Sequence, residues 1–294
     1  MPAHAHPHDH THCEHARRPP ATALALAVGN TNTAVRALAE DWIDSPCGPL
    51  PTNELARRPA AAWRWIEHVA QVQKETEVVL GGVVPKALDA LEKLLRKRGG
   101  PRVWRFRRNL PCPLKIAPKP ARAVGDDRLL AALATLSFGD SHPWVIVDCG
   151  TAITVNAFRP AKRGNLGTFE GGLIFPGERL ALEALARGTA QLPELAPWPE
   201  DTRRKPPALG KNTAEAIRAG VRRMVQHAIA AVARDQAKLL GRGTRILLTG
   251  GGIEPLAKDL QKELKAYKPH LYHEAVPDGL LTAWACHRQW KPPS

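Results

Sequence analysis

Val145-Ile146-Val147-Asp148-Cys149-Gly150-Thr151-Ala152-Ile153-Thr154 is the stretch on which the fold turns. Its β-branched run reads as a buried strand. The strand delivers one carboxylate, Asp148, to its end, where a Gly and a Thr turn the chain. Gly lets a backbone come close to a ligand, and Thr adds a hydroxyl and an N–H. Such an end suits a cation or a phosphate. A plain hairpin with a turn-favouring Asp-x-Gly accounts for the same residues.

An echo near the start of the chain argues for more than a turn. Leu24-Ala25-Leu26-Ala27-Val28-Gly29-Asn30-Thr31-Asn32-Thr33-Ala34-Val35 is again an apolar strand, a Gly, then hydroxyl and amide side chains. Aligned on the glycines, Gly29 matches Gly150, Thr31 falls one step past Thr151, and Ala27 takes the place of Asp148. One such turn in each half points to a duplicated α/β domain with a ligand held between the copies.

Composition sets the bounds. The 294 residues allow two domains of ordinary size, and no apolar run approaches a bilayer span. The first residues lack the apolar core of a signal peptide. Five scattered cysteines without CxxC spacing argue against a disulfide framework, so reduced thiols in a cytoplasm are expected. The net charge is +14, and eleven basic residues with no acid lie between Glu92 and Asp126. Interleaved with Trp104 and Phe106, that run could serve a nucleic acid, but a solvated basic linker or edge strand is the expected reading.

Residues 1–21 carry His4, His6, His8, His10, His12 and His15 among prolines. They are expected to be a disordered tail with incidental metal affinity. Strand–turn–strand follows over about 22–39, then a helix over 53–73, a strand from 77, a helix over 87–98 and a strand over 102–106. The Pro-rich segment 111–120 is the expected junction, giving domains of 22–120 and 121–294. In the second part, helices are expected over 129–137 and 179–186 and a strand at 154–158; after a turn at Gly164, the Gly-rich backbone of 167–177 would allow close approach by a ligand or a neighbouring strand. Gly210-Lys211-Asn212-Thr213 precedes a long amphipathic helix, with Asn212 and Glu215 at capping-box spacing. Arg245–Gly252 is a strand running into glycines.

Taken in series, Val28-Gly29-Asn30-Thr31, Gly125-x-Asp127-Arg128, Asp148-x-Gly150-Thr151-Ala152, Gly171-Gly172 with Pro176-Gly177, Gly210-Lys211-Asn212-Thr213 and Thr249-Gly250-Gly251 resemble type III pantothenate kinases. The likeness spans about 24–285. It implies two ribonuclease-H-like domains of the actin-like ATPase kind with the active site in the cleft between them. It also implies ATP-dependent phosphorylation of pantothenate, the first step of coenzyme A synthesis, with Mg²⁺, a monovalent cation (K⁺ or NH₄⁺) and a homodimer. By position, the resemblance makes Asp127 the general base, and places Gly125, Asp126, Arg128 and Thr213 at the pantothenate site. It makes Asp148 the monovalent-cation ligand. ATP falls to Thr151 and to the first loop, Val28, Gly29, Asn30, Thr31, Asn32 and Thr33.

The chemistry of these residue types agrees. A primary hydroxyl needs a carboxylate to take its proton as the bond to phosphorus forms. The rest of phosphoryl transfer is positioning and charge neutralisation. Two positions depart from the family pattern: Ala27 stands where the first loop carries an Asp that organises Mg²⁺ and phosphate, and Asn156 stands where many relatives carry an acid. Three readings follow: a working kinase, a degenerate homologue that binds nucleotide or pantothenate as a regulator, and a nucleic-acid-associated protein using residues 93–122.

Overall fold

The computed structural model describes residues 21–39, 43–45, 47–97, 100–139, 141–161, 166–198 and 206–289. The histidine tail and the turn at Gly164 lie outside them.

The first half holds strands β1 (Ala23–Val28), β2 (Asn32–Leu38), β3 (Ile43–Asp44), β4 (Leu50–Pro51), β5 (Glu77–Gly82) and β6 (Val103–Arg105). Its helices are α1 (Thr52–Arg57), α2 (Pro59–Val69) and α3 (Pro85–Lys97). These strands form one sheet in the order β3-β2-β1-β5-β6, with β4 also on β2.

The rest of the chain forms β7 (Lys115–Ile116), α4 (Asp126–Ala134), β8 (Trp144–Cys149), β9 (Ala152–Pro160), β10 (Gly167–Pro176), α5 (Glu178–Gly188), α6 (Thr213–Leu240), β11 (Arg245–Thr249), α7 (Glu254–Glu263), β12 (His270–Leu271) and α8 (Ala275–Gln289). The second sheet runs β12-β11-β8-β9-β10-β7. The two sheets repeat one plan. β1 sits between an antiparallel hairpin partner, β2, and a parallel neighbour, β5. In the same way β8 sits between antiparallel β9 and parallel β11. The duplication expected from the two Gly-Thr turns is therefore built into the strand order.

Both central strands are buried on both faces, as strands covered by helices on each side must be. Leu24, Leu26 and Val28 of β1 pack outward on Leu55, Trp63, Ile66, Leu88 and Leu91 of α1–α3. The opposite face of β1 is small throughout: Ala23, Ala25 and Ala27. It joins a core with residues 129–134 of α4, Leu280, Leu281 and Trp284 of α8, and Trp144, Ile146 and Phe158 of the second sheet. α4 and α8 are thus a shared layer between the sheets. They touch where Gly279 has no side chain, since a Cβ there would lie 1.9 Å from the Leu130 carbonyl oxygen. On the far side of the second sheet, Val145, Val147 and Val155 pack on Val221, Val225 and Ile229 of α6 and on Leu256 and Leu260 of α7.

Several local expectations need correction. The helix expected over 53–73 is two helices, because Pro59 lacks the N–H that would continue α1 and instead opens α2 at its first position. Segment 111–120, read as a junction, contributes β7, which pairs with β10 in the second sheet although it precedes residue 121. Conversely α8, from the end of the chain, packs on β1. Trp104 and Phe106 are not exposed stacking platforms. Both are buried, and the Trp104 indole donates to Glu77 Oε2 at 2.7 Å. Four arginines of the basic run are paired with acids: Arg96 and Arg108 with Glu92 (2.8 and 2.9 Å), Arg105 with Asp89 (3.5 Å), and Arg107 with Asp126 (3.1 Å).

Candidate active site

The two Gly-Thr turns meet. Thr31 follows β1 and Thr151 follows β8, and their Oγ1 atoms lie 3.1 Å apart although 120 residues separate them. Asn30, Thr31 and Asn32 are exposed at the mouth of this contact, and Gly29 gives the turn its tightness by donating its N–H to the Asn32 carbonyl. Not all of the first loop faces outward. Val28 is buried in the outer core, and Thr33 is buried with its hydroxyl 3.0 Å from Thr52 Oγ1. Thr52 in turn donates to the Gly29 carbonyl at 2.7 Å. The Val28 and Thr33 side chains therefore brace the loop from behind.

The second turn is crowded from three sides. Gly177 donates its N–H to the Thr151 carbonyl, which seats the start of α5 on this turn. Gly252 N–H reaches the Cys149 carbonyl at 2.7 Å. Gly250 adopts φ +92°, and a Cβ on it would fall 2.3 Å from an Asp148 carboxylate oxygen. The Asp148 carboxylate thus lies over bare backbone and makes no hydrogen bond among the described residues. Burial, helped by the negative charge of Asp127, pushes its pKa up to about 7.

Asp127 comes from the first turn of α4, on the face of the second sheet that looks toward the first. Gly125 makes room for it: a Cβ there would lie 2.5 Å from Asp127 Oδ1. That oxygen accepts the N–H of Arg128 at 2.8 Å. Desolvation raises the Asp127 pKa against the opposing pull of that N–H and of the Arg128 charge. Asp126, next door, faces the other way. Arg107 donates to its carboxylate at 3.1 Å, to the Val124 carbonyl at 2.6 Å and to the Ala121 carbonyl at 2.9 Å. Asp126 therefore helps fasten the start of α4.

Arg128 lays its Nε on Asn156 Oδ1 at 2.7 Å, with its guanidinium carbon 5.4 Å from the centre of the Phe169 ring. The Asn156 amide nitrogen donates to Thr154 Oγ1 at 2.8 Å. Gly172 on β10 leaves space for this amide, since a Cβ there would come 2.7 Å from Asn156 Oδ1. So the position that departs from the family pattern holds Arg128 with a neutral acceptor. The outer nitrogens of the guanidinium make no hydrogen bond among the described residues.

Ala27 is 5% exposed and belongs to the core between the sheets. Thr213 opens α6, on the other side of the second sheet from α4. It makes no hydrogen bond to Asp127 or Arg128. Asn212 caps that helix as its spacing predicts, accepting the Glu215 N–H at 2.9 Å.

A family model described as type III pantothenate kinase matches residues 23–235. The chain belongs to the type III pantothenate kinase family. Similar family members include one from Persephonella marina, 32% identical over 63% of this chain and 68% of its own. Another, from Myxococcus xanthus, is 31% identical over 81% of this chain and 89% of its own. A third, from Hyphomonas neptunium, is 28% identical over 89% and 98%. Among solved structures, a 2-dehydro-3-deoxygalactonokinase protein from Sinorhizobium meliloti superposes with a TM-score of 0.54 at 12% identity, covering 92% of this chain and 99% of that one. At that identity the likeness speaks for the fold, which is the two-domain, actin-like ATPase fold with its cleft between duplicated halves. Among the described residues no helix is long and apolar enough to cross a membrane.

Four features of this family member had no readable sequence signal. Arg107 was one of eleven basic residues in a run, and only the fold singles it out as the strap on α4. Thr52 lies beside a Pro-rich loop with no spacing to link it to Gly29. Asn156 stood out only as a departure, not as the acceptor for Arg128. Arg179, whose Nη2 donates to Thr31 Oγ1 at 3.3 Å, sits in no pattern at all.

Proposed function

We propose that the protein transfers the γ-phosphoryl group of ATP to the primary hydroxyl of pantothenate, yielding 4'-phosphopantothenate for coenzyme A synthesis. The observation that carries this reading is the Thr31–Thr151 contact, which brings two glycine-lined turns from separate halves together, with Asp127 near enough to Asp148 of the second turn for their charges to interact. Turns of this kind grip polyphosphates through backbone N–H groups and hydroxyls. Asp127, raised in pKa by burial, is the base that takes the hydroxyl proton, and Gly125 gives its carboxylate room. Arg128 offers two unengaged nitrogens to the substrate carboxylate, a pairing its planar fork suits.

The donor set fits the cations that the family uses. Asp148 presents a half-buried carboxylate without a hydrogen-bond partner, as a ligand for K⁺ or NH₄⁺ would. Mg²⁺ bound with the nucleotide would supply charge neutralisation on the phosphates, and Asp148, at the second turn, would be the carboxylate to orient its waters. A homodimer completes the reading. Leu173 and Ile174 of β10, Leu180 of α5 and Met224 of α6 are 55%, 59%, 40% and 51% exposed on elements that pack on one another. An apolar face of this kind favours a second copy, and Thr213 of that copy is then free to serve the pantothenate site. A cytoplasmic location fits the reduced cysteines.

A second reading is favoured by Ala27, a methyl group where the second loop has Asp148: a protein that binds nucleotide or pantothenate and regulates without turnover. An ADP-release assay with pantothenate, Mg²⁺ and K⁺ separates the two. Pantothenate-dependent ADP formation is the expected result. Its absence, with ATP still bound, sinks the kinase and leaves the regulator.

A further inference from the structure

The two phosphate loops are alike in backbone and unlike in charge. From Ala27 to Ala34 the first loop carries no charged side chain, whereas the second carries Asp148. At the place of that carboxylate, Ala27 is folded into apolar core. The first loop therefore has nothing of its own with which to order a metal ion over the phosphates.

A cation approaches this loop from the opposite half. Arg179 is the second residue of α5, and its Nη2 donates to Thr31 Oγ1 at 3.3 Å, the same hydroxyl that touches Thr151. Its base is firmly seated. Gly177 N–H bonds the Thr151 carbonyl at 3.0 Å, with no room for a Cβ against the Gly150 and Thr151 carbonyls. Glu178 is drawn away to Arg222 at 2.7 Å, so it leaves the guanidinium alone. The tip is loose. The Arg179 side chain is 55% exposed, and its remaining partner, Glu183, is 3.8 Å away. An exposed pair at that distance holds little. The guanidinium is thus anchored at its root, weakly held at its end, and poised where both hydroxyls face the cleft.

We propose that Arg179 is a nucleotide-binding residue that reaches across the cleft to the polyphosphate of ATP and supplies at the first loop positive charge that no metal-ordering carboxylate secures there. This rests on the kinase reading of the same site. On binding, the guanidinium exchanges its long contact with Thr31 for charge-assisted hydrogen bonds to phosphate oxygens. Bridging the halves in this way also draws the second half's α5 onto the first half's loop.

The test is calorimetric titration of ATP and of adenosine into the full chain and its Arg179→Gln and Arg179→Lys variants, with Mg²⁺ and in chelator. Arg179→Gln should weaken metal-free ATP by about 10- to 100-fold, the range of one charge-assisted contact. With Mg²⁺ present the loss should shrink to about threefold, because the metal then dominates the local charge. Adenosine, which has no phosphate, should bind all three proteins alike, and Arg179→Lys, which keeps the charge but not the fork, should lose less ATP affinity than Arg179→Gln. Equal metal-free ATP affinity in the parent and Arg179→Gln overturns the proposal, as does an equal loss for adenosine, and the kinase reading survives either. A parent that binds neither ATP nor adenosine overturns that reading, and the proposal with it.

Discussion

Asp127 and Asp148 are two carboxylates for which we propose separate duties, and their environments set different tests. Asp127→Asn removes the proposed base and keeps the shape. We expect kcat to fall by about 10²–10⁴ with the KM for pantothenate little changed. Because burial raises the Asp127 pKa, the acid limb of kcat/KM should lie above the pH range of an ordinary aspartate, activity rising as the group loses its proton. Near-normal turnover in the variant would remove Asp127 from the role. Asp148 bears on stability. Its folded pKa of about 7 exceeds that of an unfolded aspartate, so the folded state holds the proton more tightly. The resulting cost is absent below the unfolded value, grows as pH rises, and is complete above about 7. Asp148→Asn should therefore raise Tm by on the order of 5 °C at pH 8 and leave it unchanged near pH 3.5, in buffer free of K⁺ and NH₄⁺. A gain of the same size at both pH values would refute the assignment. Both acids could be found in the sequence because each sits in a Gly-bearing motif. The inward turn of Thr33 could not be, since its hydroxyl neighbours at 31 and 151 look the same on paper, and only its pairing with Thr52 distinguishes it.

At the scale of elements, the α4–α8 contact is the one least tolerant of change. α4 carries Asp127 on its first turn, and its carbonyl at Leu130 lies against bare Gly279 of α8. Gly279→Ala has nowhere to put its methyl group, so the helices must separate. We expect a stability loss of about 3 kcal/mol or more and a lower kcat in whatever folds, read by denaturant unfolding and by assay. Gly220→Ala, in α6 with open space around it, is the matched control and should be neutral or slightly stabilising. An unaltered midpoint for Gly279→Ala would mean that the close approach is unimportant. The elements themselves were mostly legible. The hairpin from Thr22, the cap at Asn212 and the buried strand before Asp148 follow from periodicity and cap chemistry. What escaped reading was set by tertiary partners: a two-residue strand inside a Pro-rich stretch exists only because β10 needs a neighbour. Trp104, placed among arginines, is inside because Glu77 and the core receive its ring.

For the whole molecule, the exposed apolar side chains of β10, α5 and α6 set the expected assembly. Leu180→Glu with Met224→Glu places two charges on that face and should convert a dimer to a monomer by light scattering, with the cleft residues untouched. If Thr213 of the other copy serves the pantothenate site, the monomer should lose pantothenate affinity while keeping that for ATP. A monomeric parent would dispose of the dimer outright. The formal charge of +14 is spread over a surface on which several arginines are already paired.

The alanine face of β1 has a consequence for how this chain is made. Ala23, Ala25 and Ala27 leave the ribosome among the first residues of this fold, yet part of their cover is α8, made after every other described element. The early sheet therefore waits, half clad, until α8 has been made, and becomes whole only when that helix arrives to lie across it. Removing α8 would strip the first sheet of cover as much as the second.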